Sequence, residues 1–392
     1  MRVIRRLRTH TLLSAALLSL AAAAALDAPA ASAAPGHYAA PILGHVYLND
    51  NTTGSNTIAA FDRHADGSLT SLAGSPFNAG GSGTGAGLAS QGAIQTTADG
   101  RFLLAVDAGS DQVSVLRIER DGSLDPVPGG VVPSGGVDPV SLAVHGGLVY
   151  VANAGAAAPN LSGFRLTLDG RLSPLPDGTV PLPLNSQPGD VLFNPTGTKL
   201  VATLVNSSQI ASYTVTFGGH LHPAARSPFA AQGVGPFGSE FRPTDPNQLF
   251  VSNAHNGTGL GTVSAFNDGF DGTLFSIGSS PFADQQTAPC WVIITPDGRY
   301  LFAVNTGSGM ISRYGIARDG SLALLGSTPV SANGGVGAVD PGLSPDGRTL
   351  YVNESKIGAV GVFAVHDGTL TEDAGSPIAL PAGASAAGLA VN

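Results

Sequence analysis

The chain has 392 residues, of which 43 % are apolar, 11 % charged and 6 % aromatic, with 54 glycines, 28 prolines and a formal charge of −9. So large an apolar share argues against disorder, and the acidic balance argues against nucleic acid or an anionic membrane as partner. The single cysteine, Cys290, excludes an internal disulfide and a cysteine-rich metal site.

The first residues carry an export pattern. Arg2, Arg5, Arg6 and Arg8 form a basic head, a Leu/Ala stretch runs from about Leu12 to Leu26, and Ala31-Ser32-Ala33 is a small-residue cleavage site. Residues 1–33 therefore read as a signal peptide, with the mature chain beginning near Ala34, secreted into the extracellular or cell-envelope space. The residues after Arg5-Arg6 match a twin-arginine signal poorly, so general secretory export is expected. No later apolar run reaches the roughly 18 residues that a helix needs to cross a bilayer, so no membrane span is expected. Residues 34–43 read as a linker and 44–392 as one folded domain.

That domain is a repeat. One turn signature occurs seven times, beginning at Asp66-Gly67, Asp121-Gly122, Asp169-Gly170, Gly218-Gly219, Asp271-Gly272, Asp319-Gly320 and Asp367-Gly368, each followed two residues on by leucine. The spacing is 48 to 55 residues. Asp-Gly supplies the positive φ of a two-residue hairpin turn, so each instance joins two antiparallel strands. A second turn recurs at the same period as Asp99-Gly100-Arg101, Gly197-Thr198-Lys199, Asp297-Gly298-Arg299 and Asp346-Gly347-Arg348. Each unit therefore holds four strands, a to d. Outer strands end on Ser75-Pro76-Phe77, Ser227-Pro228-Phe229, Ser280-Pro281-Phe282, Thr328-Pro329-Val330 and Ser376-Pro377-Ile378, where no further strand needs the N–H that proline lacks.

Four-stranded units at a period near 50 define a β-propeller. The predicted fold is all-β, a seven-bladed β-propeller. Its first unit begins at strand b, His45 to Leu48, while the chain ends on an unpartnered inner strand, Gly388 to Val391. The C-terminal strand is expected to join blade 1 and close the ring.

The phrases Tyr150-Val151-Ala152-Asn153 and Ser344-Pro345-Asp346-Gly347-Arg348-Thr349-Leu350-Tyr351-Val352-Asn353 resemble the YVTN-type repeats of the lactonase family of seven-bladed propellers. The resemblance covers essentially the whole mature chain. Members of that family include bacterial 6-phosphogluconolactonases and the fungal enzyme that interconverts 3-carboxymuconate and its lactone. The resemblance implies catalytic His and Arg one or two places after the residue that opens strand a, usually proline. Aligned on Gln91, Pro139, Pro188, Pro236, Pro289, Ala338 and Ala386, the first of those columns holds Gly92, Val140, Gly189, Phe237, Cys290, Val339 and Ala387. The second holds Ala93, Ser141, Asp190, Gly238, Trp291, Asp340 and Gly388. Neither contains His or Arg, so the family's catalytic residues do not carry over.

The columns at the channel mouth still offer Ser141, Asp190, Trp291 and Asp340 as a weakly acidic pocket with an indole wall; the structural alternative is that the aspartates cap turns and Trp291 packs between blades. Strand b ends on Asn49, Asp107, Asn153, Asn253, Asn305 and Glu354, a column that suits turn-capping. Glu354 departs from that column and Glu240 sits within strand a, which makes both candidate general bases if burial raises their pKa. The histidines are scattered over separate blades, so no metal site is expected. Cys290 reads as a small buried hydrophobe.

Arg101, Lys199, Arg299 and Arg348 lie in a–b turns and Arg120, Arg171 and Arg318 in c–d turns, on the face opposite the mouth. The mouth is therefore poor in the cations that a phosphorylated lactone requires. The expected function is that of a monomeric, cofactor-free binding or interaction protein with a small-molecule, glycan or protein ligand at the channel mouth. The alternative is a diverged lactonase, a hydrolase or cycloisomerase acting on a non-phosphorylated lactone.

Overall fold

The computed structural model describes residues 40–331 and 335–392. The expected signal peptide, 1–33, lies outside the described residues, as does most of the expected linker. The first strand begins at Ile42, two residues before the boundary read at 44.

Seven antiparallel sheets follow one another along the chain, each ordered a-b-c-d. Blade 1 combines strand b (Ile42–Asn49), strand c (Thr57–His64) and strand d (Leu69–Ser71) with the C-terminal strand (Leu389–Val391) as its inner strand a. Val46 pairs with Val391, Tyr47 with Ala390 and Leu48 with Leu389. This is the ring closure anticipated from the unpartnered termini. Two side-chain contacts pin it: the Arg63 guanidinium donates to the Asn392 carbonyl, and the His45 N–H donates to Asn392 Oδ1 at 2.7 Å. The register also places Leu389, not Gly388, at the second mouth column. Sequence alignment alone is off there by one residue, because blade 1 has no proline to mark the start of strand a.

Glycine in the c–d turn has a tertiary reason as well as a local one. Most such turns pack on strand b of the preceding blade, whereas Gly272 faces Ser212 and Ala224 of blade 4. A Cβ on Gly170 (φ +85°) would stand 2.5 Å from the Phe102 ring, and one on Gly368 would stand 2.5 Å from Tyr300. The approach is locked by hydroxyls: Tyr47 donates to the Gly122 carbonyl at 2.9 Å, Tyr150 to Gly219 at 2.9 Å and Tyr351 to Gly67 at 3.0 Å. The same residue type thus permits the hairpin and the blade-to-blade contact.

The outer strands differ from expectation in four blades. They are interrupted at Ser-Pro and resume for two residues, one past the expected end, as in Phe77–Asn78 and Phe229–Ala230. At the break the serine hydroxyl accepts the strand c N–H left without a partner: Ala60 to Ser75, Ser212 to Ser227, Ala265 to Ser280 and Val362 to Ser376, at 2.7–3.0 Å. Serine before proline therefore supplies the acceptor that the interrupted ladder no longer offers to strand c. In blade 6, strand d runs unbroken over Leu322–Pro329.

Among the described residues no helix is long and apolar enough to cross a membrane. The inner strands all start on one face of the ring, here the upper face, and run to the lower face, where those of blades 2 to 7 meet their a–b turns. That arrangement brings one short strand from every blade to the central axis.

Candidate functional site: a strapped channel lined with carboxyls

The channel is built from strands a: Ile94–Thr96, Pro139–His145, Pro188–Phe193, Pro236–Arg242, Pro289–Ile294 and Ala338–Leu343 of blades 2 to 7, with Leu389–Val391. Side chains alternate along a strand, so positions two apart share a side. The ladder sets Ser141, Asp190, Trp291 and Leu389 at one level. Two residues further down lie Leu192, Glu240, Ile293, Gly342 and Val391.

The upper end, read from sequence as an open mouth, is filled by the chain itself. Ser90-Gln91-Gly92, leading into blade 2, crosses the axis and bonds to four other blades. Ser90 Oγ donates to the Val140 carbonyl at 2.6 Å, and Leu142 N donates to Gly92 O at 2.9 Å, both in blade 3. Gln91 N donates to Gly189 O of blade 4 at 2.8 Å. Gln91 Nε2 donates to Ser239 O of blade 5 at 3.0 Å, while its Oε1 accepts from Val292 N of blade 6 at 3.1 Å. The Trp291 indole N–H donates to Ser90 O at 2.9 Å.

Gly238 makes room for this strap, since a Cβ there would lie 2.8 Å from the Cys290 carbonyl and closer still to the Gln91 amide oxygen. Trp291 is buried, edge-on to Phe237 at 5.1 Å. It holds the strap and is not among the residues that line the cavity beneath.

That cavity has a volume of about 250 Å³ and is lined by Gln91, Gln95, Asp190, Glu240 and Asp340 among apolar side chains, with no Lys, Arg or His. Asp190 and Asp340 are buried beneath the strap, whereas Glu240, Leu192, Ile293, Leu343 and Val391 further down are partly exposed. Access is therefore from the lower face.

The three carboxyls differ in their surroundings. Asp190 Oδ2 accepts from Ser239 N at 2.9 Å and Ser239 Oγ at 2.6 Å, and Oδ1 lies 3.4 Å from Ser141 Oγ. Burial nevertheless pushes its pKa up to about 7. Asp340 Oδ2 accepts from Gly388 N at 2.8 Å, and burial again pushes the carboxyl up to about 7. Glu240 has no hydrogen-bond partner among the described residues; burial, then repulsion from Asp190, pushes it up to about 8. At neutral pH the cavity thus holds protonated and ionised carboxyls side by side, which donate and accept hydrogen bonds and attract a cation.

Glu354 lies elsewhere, at the end of strand b in blade 7. The rest of its column behaves as turn-bracing: Asn253 Nδ2 donates to Ser264 Oγ at 2.8 Å, Asn305 Nδ2 donates to Ser312 Oγ at 2.9 Å, and Asp107 accepts from Ser114 Oγ. At the matching place blade 7 has Gly361, and a Cβ there would fall 2.6 Å from Glu354 Oε1. The longer acid fills the space of a missing serine. With Oε1 unpartnered, burial and then Glu372 push Glu354 up to about 7. Cys290 is buried, its thiol raised to about 11 by burial. Among the described residues no group of His, Cys, Asp or Glu is arranged to hold a metal ion.

Sequence reasoning singled out Asp190, Glu240 and Asp340 but missed Gln91 and Gln95. Gln91 stands in a column that otherwise holds only proline and alanine, so a polar residue there is the signal available.

Fold and site together define a seven-bladed propeller with a strapped, acid-lined axial cavity. The chain belongs to the family described as "Lactonase, 7-bladed beta-propeller", whose sequence profile matches residues 53–176 and 242–384. No curated protein sequence matches it. Among solved structures it is similar to a provisional 6-phosphogluconolactonase of Bacteroides uniformis (20 % identity, TM-score 0.73), the match covering 89 % of this chain and 99 % of that one. It is also similar to the periplasmic gluconolactonase of Pseudomonas aeruginosa (19 % identity, TM-score 0.67), covering 89 % and 98 %. At such identities the likeness is one of fold.

Proposed function

We propose that this protein is an exported, ligand-binding member of the lactonase family whose axial cavity holds a small neutral or cationic molecule entering from the lower face. The observation that carries this reading is the convergence of Asp190, Glu240 and Asp340 on one cavity with no cationic lining residue. Opening a lactone builds negative charge on the carbonyl oxygen, which requires donors or cations aimed at it. Carboxylates oppose that charge, yet they suit an amine or a hydroxyl-rich ligand. A phosphate group finds no charge-assisted partner in the cavity. The volume of about 250 Å³ lies below the roughly 300–1,000 Å³ of drug-sized pockets, so the ligand is small.

A second reading, a diverged lactonase acting on a non-phosphorylated lactone, draws on family membership and on Asp190. A buried carboxyl with pKa about 7 suits proton transfer from water near neutral pH. One experiment separates the two. The mature protein is screened by thermal shift against small amines, neutral sugars and neutral sugar lactones, while acid release from the same lactones is followed in a pH-stat. Stabilisation by an amine or sugar without acid release supports the binding reading. Acid release that Asp190→Asn abolishes establishes the enzyme. Export is tested by mass spectrometry of culture supernatant, where a chain beginning near Ala34 is expected and an intact Met1 in the cytoplasm contradicts it.

A further inference from the structure

On the lower face, the residue just before each c–d turn signature varies around the ring: Ala65, Arg120, Leu168, Phe217, Phe270, Arg318 and His366. Small or polar residues in four blades show that the turn does not require a large apolar one. The apolar three fall on consecutive blades, 3, 4 and 5. Leu168 is 83 % exposed, Phe270 is 94 % exposed and Phe217 is fully exposed. Single apolar residues on a surface need no explanation, but three at equivalent tips of neighbouring turns form one arc.

The tips are also held firmly. Arg101 of blade 2 donates to the Leu168 carbonyl at 2.8 Å, Arg165 of blade 3 donates to the Gly218 carbonyl, and Lys199 of blade 4 donates to the Asp268 carbonyl. Each apolar tip is thus braced by a cationic side chain from the preceding blade and presented in a fixed pose.

We propose that this arc docks on a lipid surface of zwitterionic headgroups, with Leu168, Phe217 and Phe270 inserted at the headgroup boundary. Separate protruding tips, each standing clear of its neighbours on its own turn, fit a soft, deformable partner. The charges agree. Arg101 and Arg165 beside the tips suit headgroup phosphates, whereas Asp271 and the Asp169 that pairs with Arg171 at 3.3 Å oppose a strongly anionic bilayer. The inference is independent of the ligand proposed for the axial cavity.

The test is flotation of the mature protein with vesicles of phosphatidylcholine, alone and mixed with phosphatidylglycerol. Wild type is expected to float with phosphatidylcholine and no better with the anionic mixture. Phe217→Ser and Phe270→Ser should each weaken partitioning by about tenfold, since a buried Phe side chain is worth that much or more. Their combination should stay at the bottom of the gradient. Leu184→Ser, an exposed residue between blades 3 and 4 on the upper face, should float as wild type does. Failure of wild type to float, or flotation unchanged in the double variant, overturns the proposal. So does a lipid-free dimer in sedimentation that the double variant dissociates, because the occupant is then a second copy of the chain.

Discussion

Gln91→Ala removes a side chain that bridges blades 5 and 6 across the channel, and its cost follows from two hydrogen bonds. The donation to Ser239 O and the acceptance from Val292 N are lost, each worth about 0.5–1.5 kcal/mol net, and the Val292 N–H is left facing the cavity unpaired at a further 1–3 kcal/mol or so. Water entering the cavity recovers part of that, so about 2–4 kcal/mol is expected. The main-chain bonds of Gln91 N and Ser90 O persist, and the ring stays closed. Urea unfolding followed by Trp291 fluorescence is the assay, since Trp291 is the sole tryptophan and donates to the strap. The midpoint should fall by about 1 M with the slope unchanged. Gln91→Glu refines the test. As a carboxylate it repels Asp190 and Glu240 in the same cavity, and it has no proton to donate to Ser239. Once protonated it restores the donor. Gln91→Glu should therefore match Gln91→Ala at pH 8 and approach wild type near pH 5. An unchanged midpoint for Gln91→Ala, or no pH dependence for Gln91→Glu, refutes the strap as a stabilising element.

Three further outcomes are expected. Deleting Leu389 to Asn392 strips blade 1 of its inner strand and exposes an unpaired edge, so the truncated protein should melt lower and aggregate; a monomer with the wild-type melting temperature contradicts the closure. Asp190 and Asp340 ionise near pH 4 when unfolded but hold their protons until about pH 7 when folded, so the native state binds more protons across that window and stability falls as pH rises through it. Melting temperature should be higher at pH 5 than at pH 8, and Glu240→Gln, which loses no hydrogen bond, should lessen the drop. The double change Glu354→Asn, Gly361→Ser should rebuild in blade 7 the Asn–Ser brace of blades 5 and 6 and melt at or above wild type, whereas Gly361→Ser alone collides with Glu354 and should melt lower.

The ring was legible in the sequence because its signals are local and periodic. An Asp-Gly turn is written in adjacent residues, and seven of them at one period leave a single architecture. Asp190, Glu240 and Asp340 were legible for a related reason, as acids within the apolar innermost strand. The strap was not. Gln91 meets Ser239 and Val292 across 148 and 201 residues, and no periodic pattern encodes such a crossing. The role of Glu354 needed Gly361 beside it, a compensation across strands b and c that a single column hides. The place of Ser-Pro near the end of the outer strand was legible, but the serine's patching of the ladder was not, because the hydroxyl's partner lies on the neighbouring strand.

The central claim is that the axial cavity binds a small molecule through its carboxyls from the lower face. Calorimetric titration of a small organic monoamine into the mature protein at pH 5 and pH 8, with wild type and Glu240→Gln in parallel, tests it most directly. The account predicts binding that tightens at pH 8 with proton release, as the cation draws Asp190, Glu240 and Asp340 into their ionised forms, and that weakens about tenfold or more in Glu240→Gln. Equal affinity in the two proteins, or affinity that does not change between the two pH values, would contradict it.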